Sequence, residues 1–292
     1  MSAGPSGLTA LRAAAGAHPG WRDHRPLLET ALGDAGGWPG AEALTALLPA
    51  GTRTDSGHPV RFRDAADLPG VDYERHVHAT GEVPTRRDHP HDLANALAWA
   101  RWPRLKAAIN AAHCRALADG APRDGRRGPV RDALTLFDES GALVVSGDHE
   151  LLDALARHDW ARAFRARRDA WRDGWVFVFG HAVLEKLQEP FEGITVHTLL
   201  IQADARDLPA DRGEALRLMD EGLAGALAAG ALLRRTRELS PLPVAGIPGW
   251  WADGPQDAAF YGDTGVFRPP ARGRVPPRPL AWPLRPVNRP DG

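Results

Sequence analysis

The sequence predicts an α+β fold: a helix-rich single domain with a small mixed or antiparallel sheet. Three observations carry this. Leucines recur at three- and four-residue spacing over much of the chain, the period of an amphipathic helix. A few short segments alternate apolar and polar residues or run continuously apolar, as strands do. The 292 residues are 43% hydrophobic and 25% charged, ordinary for a globular protein and enough for one large domain. The domain is expected over residues 21–268. Residues 1–20 are expected to be poorly ordered, and 269–292 to form a Pro/Arg-rich surface tail.

In chain order, 25–32 and 41–48 carry leucines at helical spacing (Leu27, Leu28, Leu32; Leu44, Leu47, Leu48) and are separated by Gly36, Gly37, Pro39 and Gly40. The alternation in 59–64 predicts a short strand. The same pattern in 73–78 predicts another, with His76 and His78 on one face. Helix resumes near Pro90, with Asp88 as its N-cap. Pro103 ends or kinks that helix, or opens a second one running to about Leu117. Residues 119–131 are a Gly/Pro/Arg loop.

Residues 132–148 are expected to be a hairpin, turning at Asp138-Glu139-Ser140-Gly141. Two helices meeting near His158-Asp159 follow. A buried strand over 175–179 runs into a helix over 180–190. A strand over 194–202 precedes a long helix over 208–233 with Asp211 near its start. From Ser240 the chain is irregular.

Acidic and basic residues nearly cancel, at a formal charge of -1, which argues against a nucleic-acid or membrane-surface binder. A single cysteine, Cys114, excludes an internal disulfide framework and fits a reducing compartment. The N-terminal stretch has no secretory pattern, and the longest apolar run, 223–233, is too short to span a bilayer. These features together predict a cytoplasmic location.

Residues 73–114 hold five of the twelve histidines, the cysteine and one of two lysines. The lopsided composition is that of a GC-rich coding sequence, so the rare Tyr73, Asn95, Lys106 and Asn110 stand out there. His91 and Asn95 share a helix face near a helix start, where free amides suit an anion. His91 and Asp92 are candidate proton carriers or ligands; helix capping is the competing reading. Lys106, Asn110 and His113 share a second face, which either lines a cleft or is solvated. Arg86, in the loop before the first helix, is a candidate anion clamp.

His76 and His78, with His91, have the makings of a divalent-metal site; a plain polar strand face is the competing reading. Remote in sequence, His181 and Glu185 share a helix face just after Gly180, where a strand passes into a helix, a common place for sites. They serve as acid–base or ligand candidates, or as a buried structural pair. The segment 180–186 is expected to close the site from the far side. No Walker loop, Rossmann fingerprint, Gly-x-Ser-x-Gly elbow or His-Glu-x-x-His is present.

Several strings resemble a known family. They are Tyr73-Glu74…His76…Thr80-Gly81…Val83-Pro84-Thr85-Arg86, then His91-Asp92-Leu93…Asn95-Ala96-Leu97…Trp99, then Pro103…Lys106…Asn110…His113. Later come 134–141 (LTLFDESG), Phe179-Gly180-His181-Ala182…Leu184-Glu185, Pro241-Leu242-Pro243…Gly246-Ile247-Pro248-Gly249-Trp250 and Phe260-Tyr261…Phe267-Arg268. In order and spacing, over about residues 20 to 270, they are similar to the bacterial family catalogued as domain of unknown function 3025. The resemblance implies a soluble bacterial protein and brings no activity.

From the residues themselves, two functions compete. One is a metal-dependent or acid–base hydrolase of a small anionic, phosphoester-like substrate, with His91, Asp92, His181 and Glu185 catalytic and Arg86, Asn95, Lys106, Asn110 and His113 binding. The other is a non-catalytic binding module whose polar cluster is a structural network around a Trp-rich core (Trp99, Trp102, Trp171, Trp175).

Overall fold

A computed structural model of the chain describes residues 5–33, 37–120 and 128–284. The elements, in order, are α1 (Pro5–Ala17), α2 (Arg25–Leu32), α3 (Ala41–Ala46), β1 (Arg61–Asp64), α4 (Tyr73–Thr80), β2 (Glu82–Thr85), α5 (Pro90–Arg101) and α6 (Pro103–Ala118). Then follow α7 (Pro129–Ser140), β3 (Gly141–Ser146), α8 (His149–Arg157), β4 (Trp175–Val178), α9 (His181–Lys186), β5 (Thr195–Gln202), α10 (Arg212–Ala228), β6 (Ser240–Pro243), α11 (Ala258–Gly262) and β7 (Leu280–Ala281). This is the helix-rich α+β class that the sequence predicts.

The sheet is mixed. Its order is β4-β3-β5-β6, with β7 beside the far end of β5. The central pair β3 and β5 is parallel; β4 and β6 run antiparallel to their neighbours. A separate parallel pair, β1 and β2, sits at the N-terminal side. Every residue of β3 is buried. Strand alternation sends Ala142 and Val144 to one face and Leu143 and Val145 to the other, and each face has its own core. One core takes α8 and the inner side of α5; the other takes α6, α7 and α10.

Pro103 sets the α5–α6 junction. Trp102 leaves helical dihedrals (φ −127°, ψ 55°), is fully buried, and donates its indole N–H to the Val178 carbonyl (3.3 Å). The start of α6 has no capping side chain of its own. Asp220 of α10 supplies it, accepting from the amides of Arg104 (3.1 Å) and Leu105 (2.8 Å).

Five expectations are corrected. Residues 73–80 are helix α4: Asp72 caps the Arg75 amide (3.1 Å), and Gly81 closes the helix in the left-handed region (φ 76°). His76 and His78 thus point about 200° apart around a helix and share no face. Residues 129–140 are helix α7, and 141–146 a strand of the central sheet; Ala133, Leu134 and Phe137 bury one helical stripe, and Asp138-Glu139 is the last turn of that helix. Within residues 1–20, expected to be poorly ordered, Pro5–Ala17 is α1, with Leu8, Leu11 and Ala15 in the core. Finally, the N-cap position of α5 is His89, with Asp88 in a left-handed turn (φ 51°) before it. Part of the C-terminal tail is a strand: β7 pairs with β5, and Trp282 donates to the Gln202 carbonyl (2.9 Å). Residues 285–292 of that tail lie outside the described residues.

Candidate metal centre and its cavity

Three helix ends meet: the start of α5, the end of α7 and the start of α9. Gly180 makes the last approach possible. A Cβ there would lie 2.5 Å from the Glu139 carbonyl oxygen and from the Gly141 nitrogen, so any side chain would push α9 away from α7. Hydrogen bonds from the Phe179 and Gly180 amides to the Gly141 carbonyl (3.0 and 2.8 Å) fix the contact. The strand before α9 pairs with β3 along the sheet edge and its last two residues are buried, which brings His181 to the ends of α5 and α7.

His91 of α5 and His181 of α9 face one another through their Nε2 atoms, 3.1 Å apart. The Glu139 carboxylate lies 3.6 Å from His181 Nε2. These three side chains form a group whose ligand atoms all lie within 4.8 Å of one another. The measured spacings bracket the roughly 3.3 Å edge of a tetrahedron built on zinc–ligand bonds. Behind the trio stand two more carboxylates: Glu185 on His91 Nδ1 (3.0 Å) and Asp138 facing His181 Nδ1 at 3.8 Å.

A carboxylate beside Nδ1 favours the tautomer that carries its proton there. With its Nδ1 on Glu185, His91 turns an Nε2 lone pair toward His181 Nε2, which lies 3.1 Å away beside the Glu139 carboxylate. Burial pushes the His181 pKa down to about 4 against the pull of Asp138, which favours a neutral ring. Burial also raises the Glu139 carboxyl, with Asp138 adding to the effect and His91 opposing it. Two converging imidazole nitrogens beside a carboxylate are a cation's donor set. The Nε2 atoms, the carboxylate oxygen and the carboxylate-backed Nδ1 atoms suit a divalent ion with nitrogen and oxygen affinity.

His91, Glu139 and His181 line a cavity of about 490 Å³ together with Asp72, Tyr73, Glu74, Arg86, Asp92, Asn95, His113, Arg131, Thr135 and Asp138. The other sequence candidates fall into separate clusters around it. Asp92 is committed to Arg86, accepting from its backbone amide (2.6 Å) and from Nε and Nη2 (3.0 and 2.6 Å). Burial opposes the Asp92 charge, but Arg86 outweighs it and holds the carboxyl below its usual range. The pair ties the loop after β2 to the first turn of α5, and neither partner is a free anion clamp.

Lys106 is buried and bonded to Asn95 Oδ1 (2.9 Å) and Asp138 Oδ1 (2.7 Å), with Trp99 under it at 5.7 Å. Asn95 extends this chain to the Tyr73 hydroxyl (3.1 Å). Burial works against the Asp138 charge, yet Lys106 and His181 keep its carboxyl below the ordinary range. Asn110 donates to the Glu74 backbone carbonyl (2.9 Å) and carboxylate (2.6 Å), and His113 Nε2 lies 3.9 Å from that carboxylate. Burial raises Glu74 to about 7, against the Asn110 bond. His76 is held by Glu82 (3.3 Å), and neither it nor His78 joins the trio.

Sequence reasoning missed Glu139, Asp138, Glu74, Arg131 and Thr135. A signal was present. Read as a helix, 129–140 places Arg131, Thr135 and Asp138 on one face, four and three residues apart.

The fold and site define an α+β domain with a candidate two-histidine, one-carboxylate centre opening on a cavity. Residues 60–272 match the family model described as Protein of unknown function (DUF3025), and the chain belongs to this family. No curated protein and no solved structure matches the chain significantly. Among the described residues, no helix is long and apolar enough to cross a membrane.

Proposed function

We propose that the chain is a divalent-metal-dependent hydrolase of a small anionic, phosphoester-like molecule. The carrying observation is the pair of imidazoles whose Nε2 atoms converge on each other and on Glu139 while carboxylates stand behind both Nδ1 atoms. His91, His181 and Glu139 would hold the ion, leaving a further position toward the cavity for water or substrate. The ion would supply Lewis acidity and a water acidified toward neutral pH. Glu185 and Asp138 orient the two rings and fix their tautomers. Glu74, on the same cavity wall with a pKa near 7, is the group suited to carry a proton.

The test is elemental analysis of the purified protein, followed by zinc titration of His91→Ala, His181→Ala and Glu139→Gln. About one ion per chain, lost in each variant while the thermal transition persists, is the expected result. No zinc affinity in the intact chain overturns the reading.

The second reading, a structural polar network, is favoured for one part of the cluster. Lys106, Asp138, Asn95 and Tyr73 form a chain of hydrogen bonds that holds the lysine through two of them. If the zinc titration fails and substitution of these residues lowers stability alone, that reading extends to the whole cavity.

A further inference from the structure

The proposed reaction needs something to hold an anionic substrate, and the sequence offers Arg86 and Lys106. Both are already paired, to Asp92 and Asp138. The basic side chains on the cavity wall besides the histidines are Arg86 and Arg131. The Arg131 guanidinium makes no ion pair or hydrogen bond with any described residue, and its Nε is buried without a partner. A buried donor left unsatisfied is costly, and a ligand acceptor removes that cost. The Thr135 hydroxyl, one turn further along α7, lines the same wall and is likewise unengaged among the described residues.

The spacing carries the argument further. Arg131, Thr135 and Asp138 run along one face of α7, and Glu139 of the metal trio ends it. Eight residues separate Arg131 from Glu139, about 12 Å along a helix axis. The cavity between them, about 490 Å³, has the volume of a small-molecule site.

We propose that Arg131, with the Thr135 hydroxyl, is the subsite for a terminal carboxylate or phosphate of the substrate, remote from the bond acted on at the metal. The inference rests on the metal reading for the far end of the substrate. It defines a class: a small elongated molecule with an anionic group at one end and a hydrolysable bond at the other. The guanidinium fork grips that anion through two parallel bonds, and the threonine hydroxyl adds a third.

The experiment has two arms. In the first, zinc-loaded protein is titrated with acetohydroxamate, which reads the metal alone, and with hydroxamates bearing a terminal carboxylate on methylene chains of increasing length. Affinity should peak at one length, about tenfold or more above acetohydroxamate, as a charge-assisted bond provides. The gain should vanish in Arg131→Ala and survive in part in Arg131→Lys. Acetohydroxamate binding with no gain at any length overturns the Arg131 subsite and leaves the metal reading standing. Failure of acetohydroxamate to bind overturns the metal reading instead. The second arm then decides the subsite on its own. The arginine side-chain N–H signals of metal-free protein are followed by NMR as inorganic phosphate is added, with Arg131 assigned through Arg131→Lys. Movement of that signal supports the subsite, and a stationary signal overturns it.

Discussion

The cavity has two kinds of polar wall, and they differ in whether their bonding is complete. On one side Lys106 is 4% exposed and held by hydrogen bonds to Asp138 and Asn95. On the other, His91 rests its Nδ1 on Glu185, His181 Nδ1 faces Asp138 at 3.8 Å without a hydrogen bond, and the two Nε2 atoms meet at 3.1 Å. Both walls draw polar side chains from α5 and α7, the first adding Lys106 of α6 and the second His181 and Glu185 of α9. Only the second includes a buried side-chain atom without a hydrogen-bond partner among the described residues, His181 Nδ1. A saturated network holds structure; an unsaturated, preorganised one is available for chemistry. The two walls share Asp138, which pairs with Lys106 through Oδ1 and faces His181 through Oδ2.

The largest expected effect lies on the saturated wall. Lys106→Met leaves Asp138 buried without its cation, and breaking a buried pair from one side costs about 3–5 kcal/mol. Urea unfolding should show that loss, while His91→Ala, at the half-open wall, should change metal content with under about 1.5 kcal/mol of stability. Equal losses in both variants would erase the distinction between the walls.

Glu74 gives the next effect, through pH. Its folded-state pKa of about 7 lies above the unperturbed 4.5, so between those values the folded chain keeps a proton that the unfolded chain has released. Stability therefore falls as pH rises through that window and is unpenalised below it. The full span is worth up to about 3 kcal/mol, reduced because 24% of the side chain is exposed. Glu74→Gln should flatten the pH dependence of the urea midpoint between pH 5 and 8 relative to the unmodified chain. Asp220, raised by burial to about 6, contributes with the same sign in both proteins and cancels in the comparison. An unchanged slope would mean that Glu74 titrates alike folded and unfolded.

How much of this could be read in the sequence depended on whether the determinant was local. Pro103 acts on its immediate neighbours through sterics, so the α5–α6 break and the polar faces around Asn95, Lys106 and Asn110 were legible. The Gly180-His181 step was legible for the same reason. Two misread segments concealed the rest. In 73–78, polar and apolar residues happen to alternate, and the helix is decided by the Asp72 cap and the left-handed Gly81 at its ends. In 132–141, Asp-Glu-Ser-Gly has turn composition, but the stripe of Ala133, Leu134 and Phe137 has two cores to choose from and packs as a helix on the sheet. That second error hid Asp138 and Glu139. Their role depends on the approach of α9 across Gly180, a contact between residues some 40 positions apart that no local pattern encodes.

The smallest effect sharpens the comparison at the shared boundary of the open wall. Glu185 touches His91 and not the proposed ion, and its side chain is 42% exposed. Glu185→Gln keeps the shape and a hydrogen-bond acceptor but removes the charge that favours the proton on His91 Nδ1. Carboxylates in this position contribute about ten- to a hundredfold to metal affinity. With this much solvent, the lower end is expected: about a tenfold weaker zinc affinity, or roughly 1.4 kcal/mol, by competition with a chromogenic chelator. Stability in the absence of metal should hardly move, since exposed pairs contribute about 0–1 kcal/mol. The reverse pattern, unchanged zinc affinity with a loss of metal-free stability, would place Glu185 and His91 with Lys106 and Asp138 as a structural pair, and the open wall would then have no property that the closed wall lacks.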